Sequence, residues 1–246
     1  MKRFTILSLA FLVLLCISAV LQADDPIRVL QIAGDDVSAH NWQEISASTR
    51  KALEEDERFQ VTLCEDPAIL ESSALSETYD VIVFLTFVRK LPPLTDAAKE
   101  NLLEFVSTGG GFYSQHLASA SYKDWPEFKE LCGRCWVMGT SGHTDRSEFT
   151  VNIADIEHPI TAGLEDFVIL DELYSKLQGD LEITALVTAE SLFTNKTEPL
   201  VFVRPYGKGR CIHNAMGHDA ISLENPGMAE LVRRGVEWAA TGDVAE

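Results

Sequence analysis

Apolar residues along the chain come in short runs separated by glycine, proline and polar loops. Arg28-Val29-Leu30-Gln31-Ile32-Ala33-Gly34 ends on glycine, as a first parallel strand does, and Gln60 to Cys64 reads as a second strand. Tyr79-Asp80-Val81-Ile82-Val83-Phe84-Leu85 is apolar almost throughout, the pattern of a central strand covered on both faces. Between the first two, Ile45, Thr49, Ala52 and Leu53 share one side of a helix predicted over Ser46 to Asp56. Pro92-Pro93 breaks the chain, Thr95-Asp96 supplies a helix start, and Leu102, Leu103, Phe105 and Val106 line the apolar side of a helix ending at Gly109. Gly109-Gly110-Gly111 then turns into a strand that ends in a sharp elbow at His116, before small helix-compatible residues.

Asp124-Trp125-Pro126 opens a helix that stops near Gly133. Val137 to His158 is less regular. Within and after it, Glu148 to Ile153 is extended, His158 to Leu164 is a turn, and Asp171-Glu172-Leu173-Tyr174 lies on a strand or its edge. Three further runs follow, Ile183 to Val187, Pro199 to Val203 and Arg210 to Asn214. The last two are joined by the hairpin signal Tyr206-Gly207-Lys208-Gly209. A final helix runs from near Pro226 through Trp238, with Met228, Leu231, Val232, Val236 and Trp238 at helical spacing. Strands alternating with helices, then a hairpin, predict a three-layer α/β fold with a mostly parallel sheet and an antiparallel extension.

The start of the chain reads differently. Lys2 and Arg3 precede an apolar run from Phe4 to Val20, and Leu21-Gln22-Ala23 places a small residue before Asp24-Asp25. This is the pattern of a signal peptide over 1–23, and the run is marginal for a membrane span, which needs about 20 apolar residues. The expectation is a single domain over 24–246, exported to periplasm or medium, with no stable membrane anchor after cleavage. The formal charge of −18 disfavours nucleic acid and anionic lipid as partners. Export permits disulfides among Cys64, Cys132, Cys135 and Cys211, in three connectivities. Cys132-Gly133-Arg134-Cys135 is a lone CxxC with no thioredoxin-like surroundings, which favours a structural role.

Five polar groups fall at predicted strand ends or in the adjoining loops: His40, His116, His143, Glu172 and His218. Ligands of open α/β sheets bind outside the carboxyl ends of the strands, so groups dispersed in sequence converge there. Imidazoles and a carboxylate suit proton transfer near neutral pH and also suit a divalent metal, with His116, His143, Glu172 and His218 as candidate ligands. No HxH or HExxH spacing specifies a metal. His158, before Pro159, reads as a turn residue and His213 as a packed strand residue.

These residues lie in stretches that resemble the ThuA-like (trehalose utilisation) family, which is similar in fold to class I glutamine amidotransferases and so to flavodoxin-like sheets. The resemblance rests on Gly109-Gly110-Gly111 with His116, Asp124-Trp125-Pro126, His158-Pro159-Ile160 with Gly163-Leu164, and Asp171-Glu172-Leu173-Tyr174. It continues through Glu198-Pro199, Val203-Arg204, Tyr206 to Arg210, Gly217-His218-Asp219 and Arg234 to Ala240, in order over Arg28 to Gly242. Where glutamine amidotransferases carry a nucleophilic cysteine, this chain has His116, so an acyl-enzyme route from glutamine is not expected. The family is associated with disaccharide catabolism through 3-keto sugars. The resemblance therefore implies a small-molecule carbohydrate partner; if the protein is an enzyme on such a sugar, His116 and His218 are assigned as the acid/base pair and Glu172 and His143 as orienting groups or ligands. Trp42 would be a sugar-stacking surface, with His40, His143 and Asp219 among the substrate contacts, and the protein could be a homo-oligomer. A non-catalytic carbohydrate-binding or interaction domain is the alternative. Cys132 and Cys135 depart from the family pattern, in which glycine and an apolar or aromatic residue would be expected there.

Overall fold

The computed structural model describes residues 25–245; the signal-peptide pattern lies outside them. Among the described residues nine strands form one sheet: β1 (Ile27–Ile32), β2 (Phe59–Cys64), β3 (Val81–Phe84), β4 (Gly111–Gln115), β5 (Ser147–Ile153), β6 (Phe167–Asp171), β7 (Thr184–Ser191), β8 (Lys196–Tyr206) and β9 (Gly209–Asn214). Their spatial order is β2-β1-β3-β4-β9-β8-β7-β5-β6. The first five in that order run parallel, and the remaining four continue antiparallel. The mostly parallel sheet with an antiparallel extension is thus present. The helices are α1 (Trp42–Glu54), α2 (Leu75–Thr78), α3 (Asp96–Ser107), α4 (Pro126–Cys132), α5 (Ala220–Leu223) and α6 (Pro226–Thr241).

The continuous apolar run of β3 is explained by its two covered faces. Val81 and Val83 point into a core shared with Val29, Tyr113 and Ile212 and closed by Leu53 of α1 and Val232 and Val236 of α6. Ile82 and Phe84 point the other way, to Phe112, Leu102 and Phe105 of α3 and Phe128 of α4. Glycine is required where backbones meet between layers: a Cβ on Gly209 would lie 2.0 Å from the Val106 carbonyl oxygen.

Two local expectations are corrected. Helix α1 begins at Trp42, before Ser46, because the Asn41 side chain caps it by accepting from the Glu44 N–H. The segment after the β4 elbow is only a 3-10 turn, His116–Ala120, which ends as the chain turns extended at Ser121. Thr95 caps α3 as expected, accepting from Ala98 N–H at 3.2 Å. Thr95→Ala is expected to cost about 1 kcal/mol in urea unfolding. An unchanged midpoint and slope would show that the cap contributes nothing.

The extension curls back over the first core. Val151, Ile169, Leu186 and Leu200 join the same cluster as α6, and Asn225 Nδ2 donates to the Val168 carbonyl at 2.9 Å. The carboxyl end of β6, last in the sheet order, is thereby carried to the loop that follows β9.

Candidate functional site

That curl brings four side chains together. His40 leaves the loop after β1, His116 follows β4 directly, Glu172 follows β6 and His218 lies after β9. Each offers one ligand atom, and these atoms all lie within 4.8 Å of one another. Glu172 Oε2 is central: His218 Nδ1 is 3.2 Å away, His116 Nε2 3.5 Å and His143 Nε2 3.5 Å. The rings of His40, His116 and His218 stand edge to face, with centroids 5.0, 4.8 and 5.7 Å apart. The cluster is nearly enclosed; side-chain exposure is 4% for His40, 5% for His116 and 13% for both Glu172 and His218.

The backbone aims these groups. His116 has φ 49°, left-handed for a non-glycine residue, and this re-aims the chain at the end of β4. Its Nδ1 donates to the Ala215 carbonyl at 2.9 Å, which leaves the Nε2 lone pair facing the cluster. His40 Nδ1 is held 3.0 Å from Asp36 Oδ1, so Nε2 is its remaining nitrogen. Asp171, fully buried, accepts from three backbone N–H groups: Gly217 at 2.7 Å, Glu172 at 2.8 Å and His218 at 3.1 Å. One carboxylate thus ties the end of β6 to the loop after β9 and sets two members of the cluster at once.

Protonation follows from burial and from the central carboxylate. Burial pushes His116 down to about 4, against the pull of Glu172, so its imidazole is neutral at pH 7. The contact with Glu172 raises His218, in spite of partial burial. Burial alone would raise Glu172, but the imidazoles of His116 and His218 outweigh it and hold the carboxyl well below the usual range. Burial pushes Asp171 up to about 6, although the N–H groups of Gly217, Glu172 and His218 oppose this. One neutral and one charge-stabilised imidazole on the same carboxylate is an arrangement for proton transfer.

The same atoms fit a cation. Among the described residues, the buried His116 Nε2 and His218 Nδ1 face only the Glu172 carboxylate, at 3.5 and 3.2 Å, and make no well-directed hydrogen bond. Buried unpaired nitrogens are costly, and a divalent ion would satisfy both.

The expected site residues divide. His116, Glu172 and His218 converge. His40, expected as a substrate contact, belongs to the four-residue group, and His143, expected as an orienting group or ligand, lies beside it: its Nε2 is 3.5 Å from Glu172 Oε2, its ring stacks on Tyr174 at 5.7 Å and Nδ1 donates to Thr144 O. Asp219 is occupied structurally, capping α5 through Ser222 N–H and pairing with Arg146 at 2.8 Å. Trp42 opens α1 half-buried against the core and lines, with His40, Arg89 and Lys90, an open cavity of about 450 Å³. Asp36 and Asp171 were missed, though each stands next to or near a chosen residue. Tyr174, stacked on His116 at 3.9 Å, and Trp136, 4.3 Å from Tyr174, form an aromatic wall that spacing alone did not single out. Cys132, Cys135 and Cys211 are free thiols buried in the second core, and Cys64 is a free thiol at its edge.

Relatives agree with this architecture. A ThuA-like protein of Parabacteroides merdae superposes with a TM-score of 0.78 at 28% identity, over 90% of this chain and 92% of that one. A ThuA-like protein of Bacteroides uniformis gives 0.70 at 17%, over 90% and 96%. A GMP synthase protein of Thermoplasma acidophilum gives 0.53 at 12%, over 89% and 97%, a likeness of fold alone. No curated protein sequence matches the chain. The family model described as ThuA, trehalose utilisation, matches residues 28–239, nearly all of the described chain, and the protein therefore belongs to the ThuA family.

Proposed function

We propose that this protein acts on a carbohydrate, a 3-keto sugar or disaccharide derivative, by acid/base or metal-assisted chemistry at the cluster around Glu172, and that it does so after export. The family description supports a carbohydrate-related role. The observation that carries the chemistry is the convergence of three imidazoles on one carboxylate, His116 neutral and His218 raised. A carbon beside a ketone carries the acidic hydrogen such groups can move. In the cation-free site, His116 Nε2 is the acceptor for that proton and His218 supplies one to the ketone oxygen, giving an enediol. Its reprotonation at the neighbouring carbon isomerises the sugar. Loss of the β-oxygen substituent with its proton eliminates instead. A dication held by the same side chains would polarise the ketone oxygen and stabilise the enediolate.

The test is a panel of 3-keto glucose disaccharides incubated in deuterium oxide, with exchange beside the ketone and product followed by NMR. Wild-type protein is expected to exchange and turn over at least one of them. His218→Ala should still bind the sugar while turnover falls about 10²- to 10⁴-fold. Wild-type protein that binds these sugars without exchange or turnover would overturn the catalytic reading and leave a binding domain.

A further inference from the structure

We infer that His40, His116, Glu172 and His218 together hold a borderline divalent metal of the zinc class. This rests on the preceding reading only for its use of the same pocket; the geometry stands without any sugar.

The spacing of the rings fits a single ion. Imidazoles bound to one zinc at about 2.0–2.1 Å through tetrahedrally disposed nitrogens have ring centroids about 5 Å apart, and ligand atoms about 3.4 Å apart. The three centroid separations are 4.8, 5.0 and 5.7 Å, and Glu172 Oε2 lies 3.2 and 3.5 Å from the facing nitrogens of His218 and His116. The ring spacing is therefore close to that of three imidazoles on one ion, and the ligand atoms, all within 4.8 Å of one another, would draw together on binding it.

The outer contacts of the rings fit a metal as well. Metal-bound histidines pass their other N–H to a carboxylate or a carbonyl, which fixes the ring and its tautomer. His40 does so to Asp36 Oδ1 and His116 to Ala215 O. Asp171 fixes the main chain of both other members through the N–H groups of Glu172 and His218. The inward nitrogens of His116 and His218 are buried and make no well-directed hydrogen bond among the described residues; both face Glu172 Oε2, at 3.5 and 3.2 Å.

The donor types select among metals. Three nitrogens and one oxygen favour zinc and its borderline neighbours over calcium or magnesium, which take oxygen cages. With His40, His116 and His218 as ligands, the imidazole left to move a proton is His143, the most exposed of the four at 30%. Its Nε2 lies 3.5 Å from Glu172 Oε2.

The experiment is zinc titration of the chelator-stripped full chain against a chromophoric competitor, with a parallel cobalt(II) titration read by its visible absorption. One equivalent is expected to bind, and the cobalt spectrum should show the intense bands of a low-coordinate, nitrogen-rich site. His40→Ala should lower zinc affinity by at least about 10-fold, and Asp36→Asn, which leaves every ligand in place, by about 10- to 100-fold. His143→Ala should leave stoichiometry and affinity as in the wild type. If His40→Ala does not fold, Asp36→Asn carries the test. Absence of zinc and cobalt binding by folded wild-type protein would overturn the inference, as would loss of the metal in His143→Ala with retention in both His40→Ala and Asp36→Asn. Undiminished keto-sugar turnover by stripped protein would overturn the catalytic use of the metal. Stoichiometric metal without turnover would overturn only the preceding reading.

Discussion

Glu172→Gln should reduce turnover of a keto sugar by about 10³-fold while leaving the fold in place. Glutamine has the shape of glutamate, so the space between the imidazoles stays filled. It lacks the charge against which His218, His116 and His143 are arranged at 3.2 to 3.5 Å. Without that carboxylate, the cause of the raised His218 value is gone. The protonated form of His218 would then be lost at lower pH than in the wild type, so the alkaline limb of kcat/KM should move toward acid. A metal site would lose its one anionic ligand by the same change. A variant with wild-type kcat/KM and an unmoved limb would rule out Glu172 as the centre of the chemistry.

A comparably large effect is expected on stability at mildly acid pH, and it comes from a histidine outside the cluster. His213 of β9 is buried, with its ring 4.9 Å from Phe202 and Nδ1 bonded to Arg134 O at 3.0 Å and Cys132 O at 3.3 Å. Burial pushes it down to about 4, against these bonds. Unfolded, it would titrate near about 6.5. Between these values the unfolded chain binds the proton and the native chain does not. The stability that neutral His213 confers is therefore fully present above about pH 6.5 and lost as pH falls toward 4, at up to about 1.4 kcal/mol per pH unit.

His116 adds a slope of the same sign, and Asp171, pushed up to about 6, adds one of opposite sign below that pH. The difference between wild type and His213→Gln isolates the one group. Denaturant unfolding of chelator-stripped protein across this range should show the variant less pH-dependent by about one proton. Parallel stability curves would show that His213 does not change its protonation on unfolding.

Much of the parallel half of the fold was legible because local signals and tertiary demands coincide there. The apolar run at Val81–Phe84, the glycines before β4 and the cap at Thr95 each act over a few residues. His116, Glu172 and His218 were legible for the same reason, since strand ends in a parallel sheet face one edge. What makes them a single site was not. Glu172 reaches His116 only because β5 and β6 curl back onto the layer containing α6, which is decided by side-chain packing across long separations. His40 reads in sequence as a substrate contact, not a ligand, because no residue spacing links the loop after β1 to that after β9. The roles of Asp36 and Asp171 depend on which N–H each carboxylate meets, and a buried acid looks the same in sequence as a solvated one.

The way Asp171 and Glu172 tie the end of the extension to the ends of β4 and β9 has a consequence for folding and for hydrogen exchange. No contiguous segment owns two members of the cluster, so the pocket exists only when the first strand, the elbow, the curled hairpin and the last strand are all in register. A partly folded chain would have imidazoles but no pocket. Occupancy would therefore report completion of the whole sheet, and a bound ligand would slow exchange of β5 and β6 amides far from any atom it touches, because opening that hairpin must first release it.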